Sequence, residues 1–152
     1  MDAFKLLEEH HREIEKIFEE LEPTTERAVK TREEQFRKLQ KELEIHTLIE
    51  ETILYPVLKK HRETREITFE GFEEHDVAKR LLEEMAMMDV TSEVWTAKLK
   101  VLQESIEHHV EEEETEMFKD GREALTKEEI EDLGARMEAK KKELSAFKTA
   151  GA

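Results

Sequence analysis

Apolar positions along this chain recur in steps of three and four, the spacing that puts side chains on one face of an α-helix. In the first segment Phe4, Leu7, His11, Ile14, Phe18 and Leu21 keep that step. The second gives Phe36, Leu39, Leu43, His46, Glu50, Ile53 and Val57. The third gives Gly71, His75, Ala78, Leu82 and Met85, and the fourth Trp95, Leu99, Leu102, Ile106, His109 and Glu113. Start and stop signals frame five predicted helices, over about 2–21, 31–60, 66–88, 92–118 and 126–147. Pro23 stops the first, and Thr31 with Glu34 offers the second a capping box. Ser92 suits the N-cap of the fourth, and Gly121 stands just past its end. Thr126 with Glu129 forms a second capping box, at the start of the fifth. Four one-sided helices with short connections predict an all-α, up-down-up-down four-helix bundle, with the fifth as an additional C-terminal helix.

The seams repeat. His11 and His75 lie 64 residues apart, and His46 and His109 lie 63 apart. Aligned on the first pair, "HREIEKIFEEL" falls on "HDVAKRLLEEM"; aligned on the second, "HTLIEETILYP" falls on "HVEEEETEMFK". Glu50 then meets Glu113, and Tyr55 meets Phe118. We therefore expect a single domain over 1–152, made of two helix hairpins (about 1–62 and 63–120) packed about a pseudo-twofold axis. Two units are too few for a solenoid.

Composition agrees with an all-helical chain: 43% of residues are charged, with only four Gly and two Pro in 152. A formal net charge of −15 disfavours binding to nucleic acid or to an anionic membrane. There is no cysteine, which removes disulfides, iron–sulfur clusters, thiolate zinc sites and cysteine nucleophiles together. Any metal must be held by nitrogen and oxygen. No apolar run approaches the roughly 20 residues of a membrane span, and the acidic N-terminal stretch has no signal-peptide core. The expected location is cytoplasmic.

Each seam carries one histidine, and the second and fourth add a glutamate one turn later. No Lys or Arg stands beside these glutamates in any seam. A buried, unpaired carboxylate is costly, so it needs a partner. Imidazolium groups can supply one, giving a polar network in a metal-free scaffold. Recurrence in four helices favours a metal instead. In H-x-x-x-E the two side chains share a face and reach one centre. Six donors, His11, His46, Glu50, His75, His109 and Glu113, are too many for one tetrahedral zinc. They suit two metals, each with two imidazoles, bridged by two carboxylates. Mixed imidazole and carboxylate ligation favours iron, with manganese as competitor, whereas calcium and magnesium prefer oxygen alone.

These same segments, "LLEEHHREIEKIFEEL", "ELEIHTLIEETILYPVL", "EEHDVAKRLLEEM" and "SIEHHVEEEETEMF" in this order, resemble the hemerythrin-like HHE cation-binding family. The resemblance implies a hemerythrin-like four-helix bundle around a non-haem di-iron centre. Carried over position by position, it implies the same six ligands that the seams select. Oxygen-carrying hemerythrins have a fifth histidine where this chain has Lys79. Their last carboxylate is an aspartate five residues after its histidine. Glu114 occupies that slot here, while Glu113 fits the seam. The ligand set looks more like bacterial members linked to iron, peroxide or nitric oxide chemistry. The iron–sulfur repair branch shares it but carries an N-terminal cysteine motif, which this chain lacks.

Two functions are expected to compete. One is a binding protein whose centre takes O2, nitric oxide, peroxide or iron itself. The other is a peroxidase- or catalase-like enzyme, with Lys79 leaving one metal less saturated. No residue is assigned a catalytic role, and no protein partner is legible. Around the site, His10 and His108 fall off the seam and are expected at the surface, with a role behind a ligand histidine as the lesser alternative. Glu111, Glu112 and Glu114 are expected to form a solvated face; Tyr55 is expected to pack, with a proton or hydrogen bond supplied near the metal end of the second helix as the alternative. Pro56 is expected to kink the second helix just past Glu50 or to mark its end.

Overall fold

The computed structural model of the chain describes residues 1–150, and in it the three-and-four spacing becomes five helical arms. The first, α1, spans Ala3–Leu21, with Asp2 accepting from the Lys5 N–H at 2.9 Å as its cap. The second consists of α2 (Val29–Ile49), a π turn (Glu50–Leu54) and α3 (Tyr55–Leu58). The third is α4, Arg65–Ala86. The fourth consists of α5 (Glu93–Glu112), a second π turn (Glu113–Met117) and α6 (Phe118–Ala124). The last arm, α7, spans Lys127–Ala150. Among the described residues there is no strand, and no helix is long and apolar enough to cross a membrane.

Local capping signals hold where nothing else competes. Ser92 caps α5 by accepting from the Val94 and Trp95 N–H groups. Thr126 and Glu129 form the reciprocal box, at 2.9 and 3.1 Å. Three expectations are corrected. The second helix opens at Val29 rather than Thr31, with no side-chain cap at Ala28. Tertiary bonds to Arg32 replace the cap. Its buried guanidinium donates to the Val90 carbonyl (2.7 Å), Thr96 Oγ1 (2.9 Å) and the Thr24 carbonyl (3.0 Å), tying the loops at that end together. Gly121 does not end the fourth arm, which runs on to Ala124. The glycine is there for space, because a Cβ would lie 2.7 Å from Phe4 Cζ. Pro56 is not what distorts the second arm. The widening begins at Glu50, ahead of the proline, and the same π turn occurs at Glu113 with no proline near it.

Helices α1 and α2 pack as one hairpin and α4 and α5 as the other, while α7 lies across α1 and α2. The apolar core falls into two clusters. One holds Phe4, Leu7, Ile49, Leu54, Leu58 and Phe118, closed over by Leu133 and Met137 of α7. The other holds Ile14, Phe18, Phe36, Leu39, Trp95, Leu99 and Leu102. The buried histidines and glutamates occur along the helices between these clusters, as a polar layer inside the bundle.

Candidate metal centre

All six residues singled out in the seams are buried, and the structure brings them together. Their donor atoms form two quadruplets, each with all atoms within 4.8 Å of one another. One is His11, His46, Glu50 and Glu113; the other is His75, His109, Glu50 and Glu113. Both glutamates are shared. His11 Nε2 stands 3.0 Å from Glu113 Oε1, and His75 Nε2 stands 3.0 Å from Glu50 Oε1. Each hairpin's glutamate therefore reaches the histidine on the first helix of the other hairpin. His46 Nε2 lies 3.3 Å from Glu50 Oε1, and His109 Nε2 lies 3.4 Å from Glu113 Oε2.

The other face of every imidazole is held from outside. His11 Nδ1 bonds to Glu114 Oε2 (2.6 Å), His75 Nδ1 to Glu51 Oε2 (2.7 Å) and His109 Nδ1 to Glu74 Oε1 (2.6 Å). A carboxylate only accepts, so each of these Nδ1 atoms carries the hydrogen and each Nε2 faces inward. His46 Nδ1 meets His10 Nδ1 at 3.0 Å, and His10 Nε2 donates to Glu42 Oε2 at 2.8 Å. The π turns bring consecutive glutamates to bear in pairs. Glu50 and Glu113 enter the centre, while Glu51 and Glu114 clamp the histidines of the opposite hairpin.

His10 is corrected by the structure. It is fully buried, packed against α2 between His46 and Glu42. His108 does stay at the surface, with its side chain 64% exposed. Glu114 is half-buried, bonded to His11 Nδ1 and to the Arg12 guanidinium, and belongs to neither quadruplet. Lys79 turns away from the centre, 3.4 Å from Glu51. At Tyr55 the hydrogen-bonding alternative holds over simple packing. Its hydroxyl donates to Glu113 Oε2 at 2.6 Å and lies 3.4 Å from both Glu50 Oε1 and His75 Nε2. Its ring stacks on His75 at 5.2 Å, as Phe118, its mate in the repeat, stacks on His11 at 6.0 Å. Gly71 makes room for it, since a Cβ there would meet the Tyr55 hydroxyl oxygen at 2.7 Å.

The electrostatics are those of a buried ion cluster. Burial alone would lower His46, but the Glu50 and Glu113 carboxylates outweigh it and hold it up at about 9. His109 is also raised well above its ordinary value, against burial, by Glu113. Burial and the neighbouring Glu113 would raise Glu50, but His46 and His109 bring it down to about 2. Burial lowers His10 to about 4, against the pull of Glu42. Burial, then Glu113 and Glu50, push the Tyr55 phenol well above its ordinary range, so it remains a donor.

The donor set fits a cation. His46 Nε2, His109 Nε2 and Glu50 Oε2 are buried and make no well-aligned hydrogen bond. Such groups are costly to bury unsatisfied, and cations held by the two quadruplets would satisfy all three, His46 in one, His109 in the other and Glu50 in both. Beside the centre is a cavity of about 10 Å³ lined by the four histidines, Glu74, and apolar or small side chains that include Leu43, Thr47 and Ala78. A cleft of about 650 Å³ between α2 and α4 shares Leu43, Thr47 and Ala78 with it.

The family model described as Hemerythrin HHE cation binding domain matches residues 2–120. The chain belongs to the hemerythrin HHE cation-binding family. Among solved structures, a hemerythrin HHE cation binding domain-containing protein from Mycobacterium kansasii is similar, with a TM-score of 0.84 and 24% identity. The likeness covers 97% of this chain and 89% of that one, and it is a likeness of fold. No curated protein matches the chain. The matched region of this HHE domain contains all six buried donors together with Tyr55, His10 and the outer glutamates; α7 lies beyond it.

Proposed function

We propose that this HHE-domain protein binds a pair of non-haem iron ions and presents them to a small ligand: O2, nitric oxide or peroxide. His11 and His46 would hold one ion and His75 and His109 the other, with Glu50 and Glu113 shared between them. The observation that carries this reading is the convergence of four imidazole Nε2 atoms on two carboxylates, with every Nδ1 held from behind. Outer partners of this kind fix ring orientation and tautomer, the usual arrangement behind metal-bound histidine. Nitrogen and oxygen donors in equal measure favour iron, with manganese the nearest competitor. When bound, the ions would supply a redox-active Lewis acid.

The surroundings suit a small, uncharged or weakly charged guest. The cavity against the histidines has room for about one water-sized molecule, and the cleft between α2 and α4, apolar where it meets the cavity at Leu43 and Ala78, is its natural approach. Glu50 and Glu113 neutralise charge at the centre, and Tyr55 keeps a proton on an oxygen 2.6 Å from Glu113.

That phenol favours a second reading, an enzyme that turns over peroxide, because a buried proton donor at the centre is what reduction of an O–O bond requires. Peroxide added to iron-loaded protein separates the two. Sustained oxygen evolution or oxidation of a reductant supports the enzyme, and one stoichiometric spectral change supports binding. Protein that keeps no iron after desalting, with its helicity intact, refutes both.

A further inference from the structure

We propose that the two metal positions are unequal, and that His10 is the positioning residue that leaves the His11/His46 position the weaker. The inference rests on the dinuclear reading above and concerns how the chain's own residues tune it.

The repeat supplies an internal comparison. With the offset of 64, His10 stands where the other hairpin has Glu74. Both do the same job. Glu74 Oε1 lies 2.6 Å behind His109 Nδ1, and His10 Nδ1 lies 3.0 Å behind His46 Nδ1. The His75/His109 position thus has two carboxylate-backed imidazoles, from Glu51 and Glu74. The His11/His46 position has one, from Glu114, and one backed by an imidazole. A carboxylate draws on the N–H proton and strengthens the other ring nitrogen as a donor. A neutral imidazole draws on it less.

Proton counting fixes what His10 does. Two Nδ1 atoms 3.0 Å apart share one hydrogen. For His46 Nε2 to offer its lone pair to a cation, that hydrogen must sit on His46 Nδ1. His10 then accepts at Nδ1 and keeps its own hydrogen on Nε2, which donates to Glu42 at 2.8 Å. Glu42 is half-buried on α2, so the line Glu42–His10–His46 runs from the surface to the centre. His10 is held in one tautomer and one ring orientation, and so holds His46 in one. A second asymmetry falls on the same side. The Tyr55 hydroxyl lies 3.4 Å from His75 Nε2, whereas its repeat mate Phe118 gives His11 only a ring face.

The test is a cobalt(II) titration of metal-free full-length protein, followed by visible absorption and calorimetry, with circular dichroism on every variant. Wild type should bind two cobalt ions in two steps separated by about tenfold or more. His10→Phe should weaken the second step by about a further tenfold and leave the first unchanged. His10→Gln, whose amide oxygen can accept from His46 Nδ1–H, should restore most of that loss. Glu74→Gln should weaken the first step and draw the two together. Two cobalt ions bound with indistinguishable affinities would overturn the inference and leave the dinuclear reading intact, as would a His10→Phe effect equal on both steps. If His10→Phe loses helicity, Glu74→Gln decides, and an unchanged first step there overturns the inference. A helical wild type that binds no cobalt overturns the dinuclear reading itself.

Discussion

The Tyr55 hydroxyl donates to Glu113 Oε2 across 2.6 Å, joining the second helical arm to the fourth through the middle of the bundle. This bond joins the His11–Glu113 and His75–Glu50 contacts in linking the two hairpins at the centre, and it comes from a position where the other half of the repeat has Phe118. Tyr55→Phe should therefore remove the bond while keeping the ring stacked on His75. A hydrogen bond to a charged group is worth about 1.5–3 kcal/mol. Chemical denaturation of the metal-free protein should show a loss of that order, with the metal count unchanged. A variant as stable as wild type would show that the bond does not bind the hairpins together.

Gly71 and Tyr55 are paired by shape. A methyl group at residue 71 would lie 2.7 Å from the Tyr55 hydroxyl oxygen and 2.9 Å from Cζ, so Gly71→Ala should force the ring off His75. The expected cost is about 1–3 kcal/mol, as for other overpacked cores. Because the two residues touch, the double variant Gly71→Ala/Tyr55→Leu should lose less than the sum of the singles. Additive losses, read from denaturation midpoints, would mean that residue 71 acts through something other than the tyrosine.

How far the sequence could be read follows the range of the interaction. The seams and the Ser92 and Thr126–Glu129 caps depend on residues within one or two turns, and they were legible. The convergence of the six buried histidines and glutamates was legible because H-x-x-x-E occurs twice at nearly the same offset as the unpaired histidines. His10 reads first as a surface residue because it falls one position off the seam, and only the docking of α1 on α2 brings it behind His46. The repeat offered a signal, since His10 aligns with Glu74 and both are chemistry-bearing side chains beside a seam histidine. Tyr55 was underestimated because a straight α-helix does not carry residue 55 back over Glu50. The π turn does, and its i→i+5 bond from the Tyr55 N–H to the Glu50 carbonyl leaves no pattern in hydropathy. Gly121 carried a helix-stop signal that the close approach of Phe4 overrides.

Protons and metal compete for the same nitrogens, which fixes a pH dependence. His46 sits at about 9 in the folded metal-free protein against an ordinary 6.5. Its raised value contributes stability that is full below about 6.5 and is lost as pH rises through about 9. Glu50, lowered from 4.5 to about 2, contributes above 4.5 and loses its share as pH falls through about 2. Metal-free protein should therefore melt lower at pH 9 than at pH 6. Metal binding releases the imidazole protons, so affinity should rise over the same interval. Thermal melts with and without metal should show a stabilisation that widens from pH 6 to pH 9. A gap that narrows would contradict the assignment of the imidazoles as donors.

Substitutions along the fourth arm separate neighbours in sequence. His109→Ala removes a buried donor, and His108→Ala a side chain 64% exposed to solvent. The first should lose most of the bound metal and the second should keep it, by elemental analysis of desalted protein. The same contrast is expected between His46→Ala and Lys79→Ala, because Lys79 points to Glu51 and not to the centre. Retention by His109→Ala with loss by His108→Ala would place the wrong face of α5 inward.

The most direct test of two metal positions sharing Glu50 and Glu113 is an anaerobic ferrous titration of metal-free protein, read as iron retained per chain after desalting. The account predicts an end point of two, falling below one in the double variant Glu50→Ala/Glu113→Ala with helicity preserved. An end point of one or none in the wild type, or two retained without both glutamates, would contradict it.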